Sequence, residues 1–254
     1  MDQFDFELDG LRLHRAVYDP AGVEALRALP TSGPGARLQD DRLPDLLTPV
    51  TRLASKILGL GAQPVRAVMF DKTVDDNWAL GWHQDRTLVV RERRETEGFG
   101  PWSRKDGALH VAPPIALLQR MATFRIHLDP CGSENAPLRV ATGSHRLGYV
   151  AASDADAEAQ RHPIVECLAD VGDVWAYSTP ILHASARAAS PNRRRVLQVD
   201  YAAFMLPGDL LWRGVTKALR QTPAEWAAEN AEALQAQQER IEKFGVFSDG
   251  LRTW

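Results

Sequence analysis

The stretch Ala79-Leu80-Gly81-Trp82-His83-Gln84-Asp85 decides how the rest of the chain is read. An apolar run (Ala79, Leu80, Trp82) ends there, and a second, Leu88-Val89-Val90, follows. His83 and Asp85 are two residues apart, and on an extended strand residues i and i+2 project from one face. An imidazole and a carboxylate then point into the same space. That pair is two-thirds of a 2-His-1-carboxylate site, which holds non-haem Fe(II) and leaves coordination positions open. Alone, the pair reads equally well as a strand histidine hydrogen-bonded to a neighbouring carboxylate. A chain with 7 His and 33 acidic residues produces such pairs by chance. The reading therefore turns on a third ligand.

The candidate third ligand is His183, at the end of the apolar strand Ile181-Leu182-His183, after Gly172-Asp173-Val174-Trp175. Its neighbours predict that it is buried. Eleven residues further on (194 − 183), Arg194 enters the strand Val196-Leu197-Gln198-Val199. A buried guanidinium needs an anion, and a bidentate contact suits the carboxylate of a dicarboxylic co-substrate. The flanking Arg193 and Arg195 read as solvated turn residues.

Working outward, residues 4–13 alternate loosely (Phe4, Phe6, Leu8, Leu11, Leu13), which predicts a strand. Asp19-Pro20 reads as an N-cap followed by Pro at the first helical position. Thr48-Pro49 opens a second helix, with a one-sided apolar stripe at Val50, Leu53, Ala54, Ile57 and Leu58. Strands are expected at 65–69, 122–128, 138–140, 164–168, 174–177, 181–183 and 196–204. A surface helix is expected at 151–161. Residues 91–114, with Phe99-Gly100-Pro101-Trp102, read as a long loop, either a lid over a binding site or a disordered insertion. Phe99 and Trp102, with Trp78 and Trp82, are candidates to line a pocket mouth. Thr222-Pro223-Ala224-Glu225 is a capping box that opens a helix to about Lys243, docked by Trp226, Leu234 and Ile241. Many short strands between helical ends predict a mainly β domain, a jelly roll. One domain is expected over 1–254. Its core covers about 65–203, its helical N-terminal flank about 15–60 and its C-terminal helix about 222–243.

The bulk numbers narrow the function classes. A net charge of −3 gives no argument for nucleic acid or a membrane surface as partner. No apolar stretch approaches the roughly 20 residues of a membrane helix. The acidic start, Met1-Asp2-Gln3-Phe4-Asp5, lacks the basic and apolar regions of a signal peptide. Cys131 and Cys167 have no metal-type spacing and read as reduced thiols of a cytoplasmic protein.

Taken together, three segments resemble the phytanoyl-CoA dioxygenase family. They are Trp82-His83-Gln84-Asp85, Pro137-Leu138-Arg139-Val140 with Gly143-Ser144-His145, and His183-Ala184-Ser185 with Arg194. The resemblance runs from about residue 65 to 203. It implies an Fe(II)- and 2-oxoglutarate-dependent oxygenase on a double-stranded β-helix, a cupin-like jelly-roll barrel. It implies that His83, Asp85 and His183 bind Fe(II) and that Arg194 pairs with the distal carboxylate of 2-oxoglutarate. Ser185 then supports that carboxylate or the ligand shell, Thr123 contacts the co-substrate through its hydroxyl, and Lys72 is a further candidate. The implied partners are O2 and a small organic substrate, with release of succinate and CO2. Related halogenases have a small residue where Asp85 stands, so Asp85 points to hydroxylation or a related oxidation. No basic stretch suited to coenzyme A stands out. His127 and His145 read as second-layer groups or as core and turn hydrogen-bonding residues, and Arg125 as a substrate contact or a salt bridge. Two alternatives stay open on the residues alone: a cupin-type metalloenzyme that needs no 2-oxoglutarate, and a non-catalytic small-molecule binder.

Overall fold

A computed structural model describes residues 4–217, apart from 32, 34 and 191, together with the helical, exposed residues 228, 231, 235, 236, 238 and 239. The remainder of the helix expected over 222–243, with Trp226, Leu234 and Ile241, lies outside the described residues. The elements run α1 (Phe6–Asp9), β1 (Leu11–His14), α2 (Pro20–Arg27), β2 (Ala36–Leu38), α3 (Leu43–Leu46), α4 (Thr48–Leu58), β3 (Gln63–Lys72) and β4 (Leu80–His83). They continue with β5 (Leu88–Val90), β6 (Trp102–Lys105), β7 (Ala108–Val111), α5 (Ile115–Leu118), β8 (Met121–His127), β9 (Leu138–Ala141) and α6 (Ala155–Ala159). The last are β10 (Ile164–Cys167), β11 (Val174–Ser178), β12 (His183–Ser185) and β13 (Arg194–Ala202).

Two antiparallel sheets make the jelly roll. The larger has the order β1-β11-β8-β13-β3-β2 and the smaller β10-β9-β12-β4. Register places side chains on the larger sheet in cross-strand rows. One row is Lys72 and Arg194, and the next is Phe70, Val196 and His127. Then come Val68, Gln198, Arg125 and Trp175, and finally Arg66, Asp200, Thr123 and Tyr177. All four rows face the smaller sheet. The alternate residues (Ala67, Met69, Phe124, Ile126, Leu197, Val199) face outward and pack with Val23, Leu26, Leu43, Leu47, Val50 and Ala54 from the helical flank. Between the sheets, Leu138, Val140 and Cys167 meet Leu11, Trp175 and Tyr177 and close one end of the barrel.

Several expectations are corrected. Residues 4–13 are not one strand: the Asp5 carboxylate accepts from the amides of Glu7 and Leu8 and starts α1, and only Leu11–His14 is extended. The 91–114 segment is not a structureless loop. It contains a β6–β7 hairpin in a third sheet with β5. The hairpin turns on Asp106-Gly107, both at positive φ, the geometry of a two-residue type I′ turn. Phe99 and Trp102 pack on a satellite core with Val90, Val111 and Trp212 rather than at a pocket mouth. The 151–161 helix is confined to α6. The strand expected at 181–183 begins only at His183, although Ile181 and Leu182 are fully buried.

Candidate metal centre and co-substrate pocket

His83 ends β4 and His183 begins β12, and the register sets them directly opposite each other. Their rings are 4.3 Å apart. Each ring is fixed in the same way. Nδ1 of His83 lies 2.8 Å from the carbonyl oxygen of Gly81, and Nδ1 of His183 lies 2.9 Å from that of Ile181. Donation from Nδ1–H to those carbonyls leaves Nε2 as the lone-pair atom that a metal requires. Asp85 lies beyond the end of β4, so the same-face argument from an extended strand does not place it. The intervening Gln84 does. Its amide donates to the carbonyls of Gly148 and Pro180 and accepts from the amide of Val150. This clamp turns the chain so that Asp85 rejoins His83. The ligand atoms of His83, Asp85 and His183 all lie within 4.8 Å of one another. Two imidazoles and one carboxylate, fixed and convergent, fit Fe(II).

Charge prepares the same site. Burial, then the neighbouring His83, pushes His183 down to about 4, so its imidazole is neutral at neutral pH. Burial opposes ionisation of Asp85, but Arg66, the two imidazoles and Gln198 outweigh it and hold the carboxyl below the usual range. Arg66 also pairs with Asp200 at 2.5 Å. Burial, with repulsion from Asp85, raises Asp200.

The ligands open on a cavity of about 110 Å³ lined also by Lys72, Arg125, Ser185, Arg194, Gln198 and Trp78. Three of these are buried cations. Lys72, 5% exposed, donates to the carbonyls of Trp78 (2.6 Å) and Ala186 (3.2 Å) and to Ser185 Oγ (3.3 Å). Arg194, 3% exposed, donates to the Ala136 carbonyl at 2.7 Å and lies 3.5 Å from Cys131 Sγ. Arg125 donates to Gln198 Oε1 at 2.8 Å. Every acceptor in these contacts is uncharged, and among the described residues the Nε atoms of Arg125 and Arg194 have no hydrogen-bond partner. Buried donors without acceptors call for a ligand. Burial, then the charges of Arg194 and Arg125, pushes Lys72 down to about 8.

The structure thus brings together His83, Asp85, His183, Arg194 and Ser185, with the further candidates Lys72 and Arg125. It does not bring Thr123 to the cavity. The Thr123 hydroxyl is fully buried against Thr179 and Asp200, each at 3.1 Å, one row deeper than Arg125 on the same face. His127 is buried behind the cations and is pushed down to about 3 by burial and by Arg125 and Arg194. Ser144 of the Gly143-Ser144-His145 turn accepts from the amide of Leu182 and so braces the approach to His183. Trp82 packs under Arg139, away from the cavity lining. Arg66, Gln198, Asp200 and Cys131 have no sequence signature, because their roles come from cross-strand register.

A double-stranded β-helix with an inward His-x-Asp and a distal His is the arrangement of non-haem iron oxygenases. The family model Phytanoyl-CoA dioxygenase (PhyH) matches residues 45–196, and the chain belongs to that family of Fe(II)- and 2-oxoglutarate-dependent oxygenases. A second family model, Post-segregation antitoxin CcdA, matches residues 211–254, which lie largely outside the described residues. No curated protein matches the chain. Among solved structures, the fold is similar to that of SnoK, a non-heme alpha ketoglutarate dependent carbocyclase from nogalamycin biosynthesis. The TM-score is 0.58 at 17% identity, over 83% of this chain and 85% of that one. HygX from Streptomyces hygroscopicus, with nickel, 2-oxoglutarate and hygromycin B bound, aligns at TM-score 0.52 and 17% identity, over 87% and 96%. EctD from S. alaskensis, with 2-oxoglutarate and 5-hydroxyectoine, aligns at 0.57 and 17%, over 78% and 73%. No helix among the described residues is long and apolar enough to cross a membrane.

Proposed function

We propose that His83, Asp85 and His183 hold Fe(II), that Arg194 with Lys72, Arg125 and Ser185 receives 2-oxoglutarate, and that the protein hydroxylates a small organic molecule. One observation carries this reading: the three ligands line one cavity with three buried cations that have no carboxylate partner among the described residues. Iron bound there supplies oxidation of a substrate C–H bond by O2, with 2-oxoglutarate decarboxylated to succinate and CO2. The chain's own work is placement. The His83 and His183 rings are locked by their backbone bonds, and Asp85 is kept ionised by Arg66. The cation end supplies charge-assisted hydrogen bonds to a carboxylate. The low-dielectric walls strengthen them. Thr123 supports this pocket from behind, through the row that it shares with Arg66. The two buried, unpaired cysteines fit a reducing compartment, the cytoplasm.

Calorimetric binding of 2-oxoglutarate to the nickel-loaded protein tests the assignment. Saturable binding by wild type, weakened about 100-fold by Arg194→Ala, is expected from losing one side of a buried charged pair. Equal saturable binding by the two proteins contradicts the role of Arg194, and no binding by wild type favours a metalloenzyme that uses no 2-oxoglutarate.

A further inference from the structure

Asp85 is held by one oxygen only. Its Oδ2 accepts from Arg66 Nη2 and from Gln198 Nε2, each at 3.1 Å. Among the described residues no hydrogen bond reaches Oδ1. Gln198, 4% exposed, has its amide orientation fixed by chemistry. Its Oε1 accepts from Arg125 Nη1 at 2.8 Å and from the Tyr177 hydroxyl at 3.3 Å. A guanidinium can only donate and an ionised carboxylate can only accept. The flipped amide would set donor against donor and acceptor against acceptor. Gln198 therefore spans the two halves of the site, with its carbonyl on a cation of the co-substrate pocket and its NH2 on the carboxylate ligand.

We infer that Gln198 is a positioning residue for the metal centre: its amide ties the Asp85 carboxylate to the Arg125 guanidinium. It leaves Oδ1 alone to face the metal and fixes the metal site relative to the co-substrate pocket. This rests on the reading that His83, Asp85 and His183 bind the metal. Without the amide, Oδ2 is tethered by Arg66 only. Asp85 is then free to rotate and to engage a metal through both oxygens. The positions left open for ligands shrink accordingly.

The test is Co(II) titration of the whole chain, followed by its visible absorption, for wild type, Gln198→Met and Arg125→Met. Methionine keeps the volume of glutamine and removes both hydrogen-bonding groups. For Gln198→Met the expected result is a roughly 10–100-fold weaker Co(II) affinity, a changed visible spectrum, and unchanged circular dichroism of the metal-free protein. Arg125→Met keeps Gln198 but removes the anchor of its carbonyl. By charge alone, loss of a nearby cation tightens binding of a dication. Positioning through Gln198 predicts weaker binding instead, and this variant carries the test if Gln198→Met does not fold. Co(II) affinity within about 3-fold of wild type for Gln198→Met, with an identical spectrum, overturns the inference, since outer partners of metal ligands ordinarily count for more. So does tighter binding by Arg125→Met. Failure of wild type to bind Co(II) at all overturns the metal-site reading itself, which separates the two claims.

Discussion

The two faces of the larger sheet differ in almost every property although the same strands carry both. On the outward face Met69, Phe124, Ile126, Leu197 and Val199 are buried among apolar helix residues. On the inward face the alternate positions of β3, β8 and β13 hold Lys72, Arg125, Arg194, Gln198 and Asp200, all buried, and the partly buried Arg66. Burying apolar groups stabilises the fold. Burying charges without full pairing does not, so that face is retained for what it binds. Period-two alternation thus lets one strand segment serve stability and chemistry on separate sides.

Breaking the inner face at its centre should have the largest effect on function and little on the fold. His183→Ala is expected to abolish turnover and to weaken metal binding beyond the roughly 10–100-fold seen for outer partners. The melting temperature of the metal-free protein should stay near that of wild type. Breaking the outer face should do the reverse. Phe124→Ala removes a ring that meets Tyr201 edge-on at 5.2 Å. It is expected to lower unfolding free energy by about 3–5 kcal/mol in urea titration, with metal affinity of the folded protein intact.

Arg194→Met sharpens the contrast. It should weaken 2-oxoglutarate binding by about 2–5 kcal/mol while leaving the metal-free protein as stable as wild type or more so, because Arg194 is a buried cation with no carboxylate partner among the described residues. Calorimetry and urea titration read the two effects separately. The smallest effect is one of pH. Lys72 is pushed down to about 8 in the folded protein, from an ordinary value of 10.5. Between these values the unfolded chain binds more protons, so stability of the metal-free protein rises with pH across that window. Affinity for 2-oxoglutarate moves the other way and falls as pH passes about 8, since the neutral amine no longer attracts a carboxylate.

The contrast also explains what was legible in the chain. Phe124 and Ile126 against Thr123 and Arg125 show the two faces in sequence, and the iron ligands stand out as His and Asp in apolar surroundings. The reach of each inward side chain does not show. Thr123 and Arg125 share a face, but the short hydroxyl is consumed by Asp200 while the long guanidinium extends to the cavity. Lys72 stands only as a further candidate in the sequence because β3 runs three residues beyond Met69, past the apolar stretch. Arg66 and Gln198 meet Asp85 only through cross-strand register and the Gln84 clamp, which carry no local pattern. The β6–β7 hairpin was visible in principle: Asp106-Gly107 is a strong two-residue turn signal, masked by the polar strand Trp102–Lys105 before it.

The central claim, that one cavity holds both the iron and its dicarboxylic co-substrate, is tested most directly in the absence of O2. Fe(II) and 2-oxoglutarate are added to the wild-type protein and the visible spectrum is recorded. A charge-transfer band that requires both additions and is absent with His183→Ala is the expected result. Wild-type protein that binds Fe(II) yet shows no band when 2-oxoglutarate is added would contradict it.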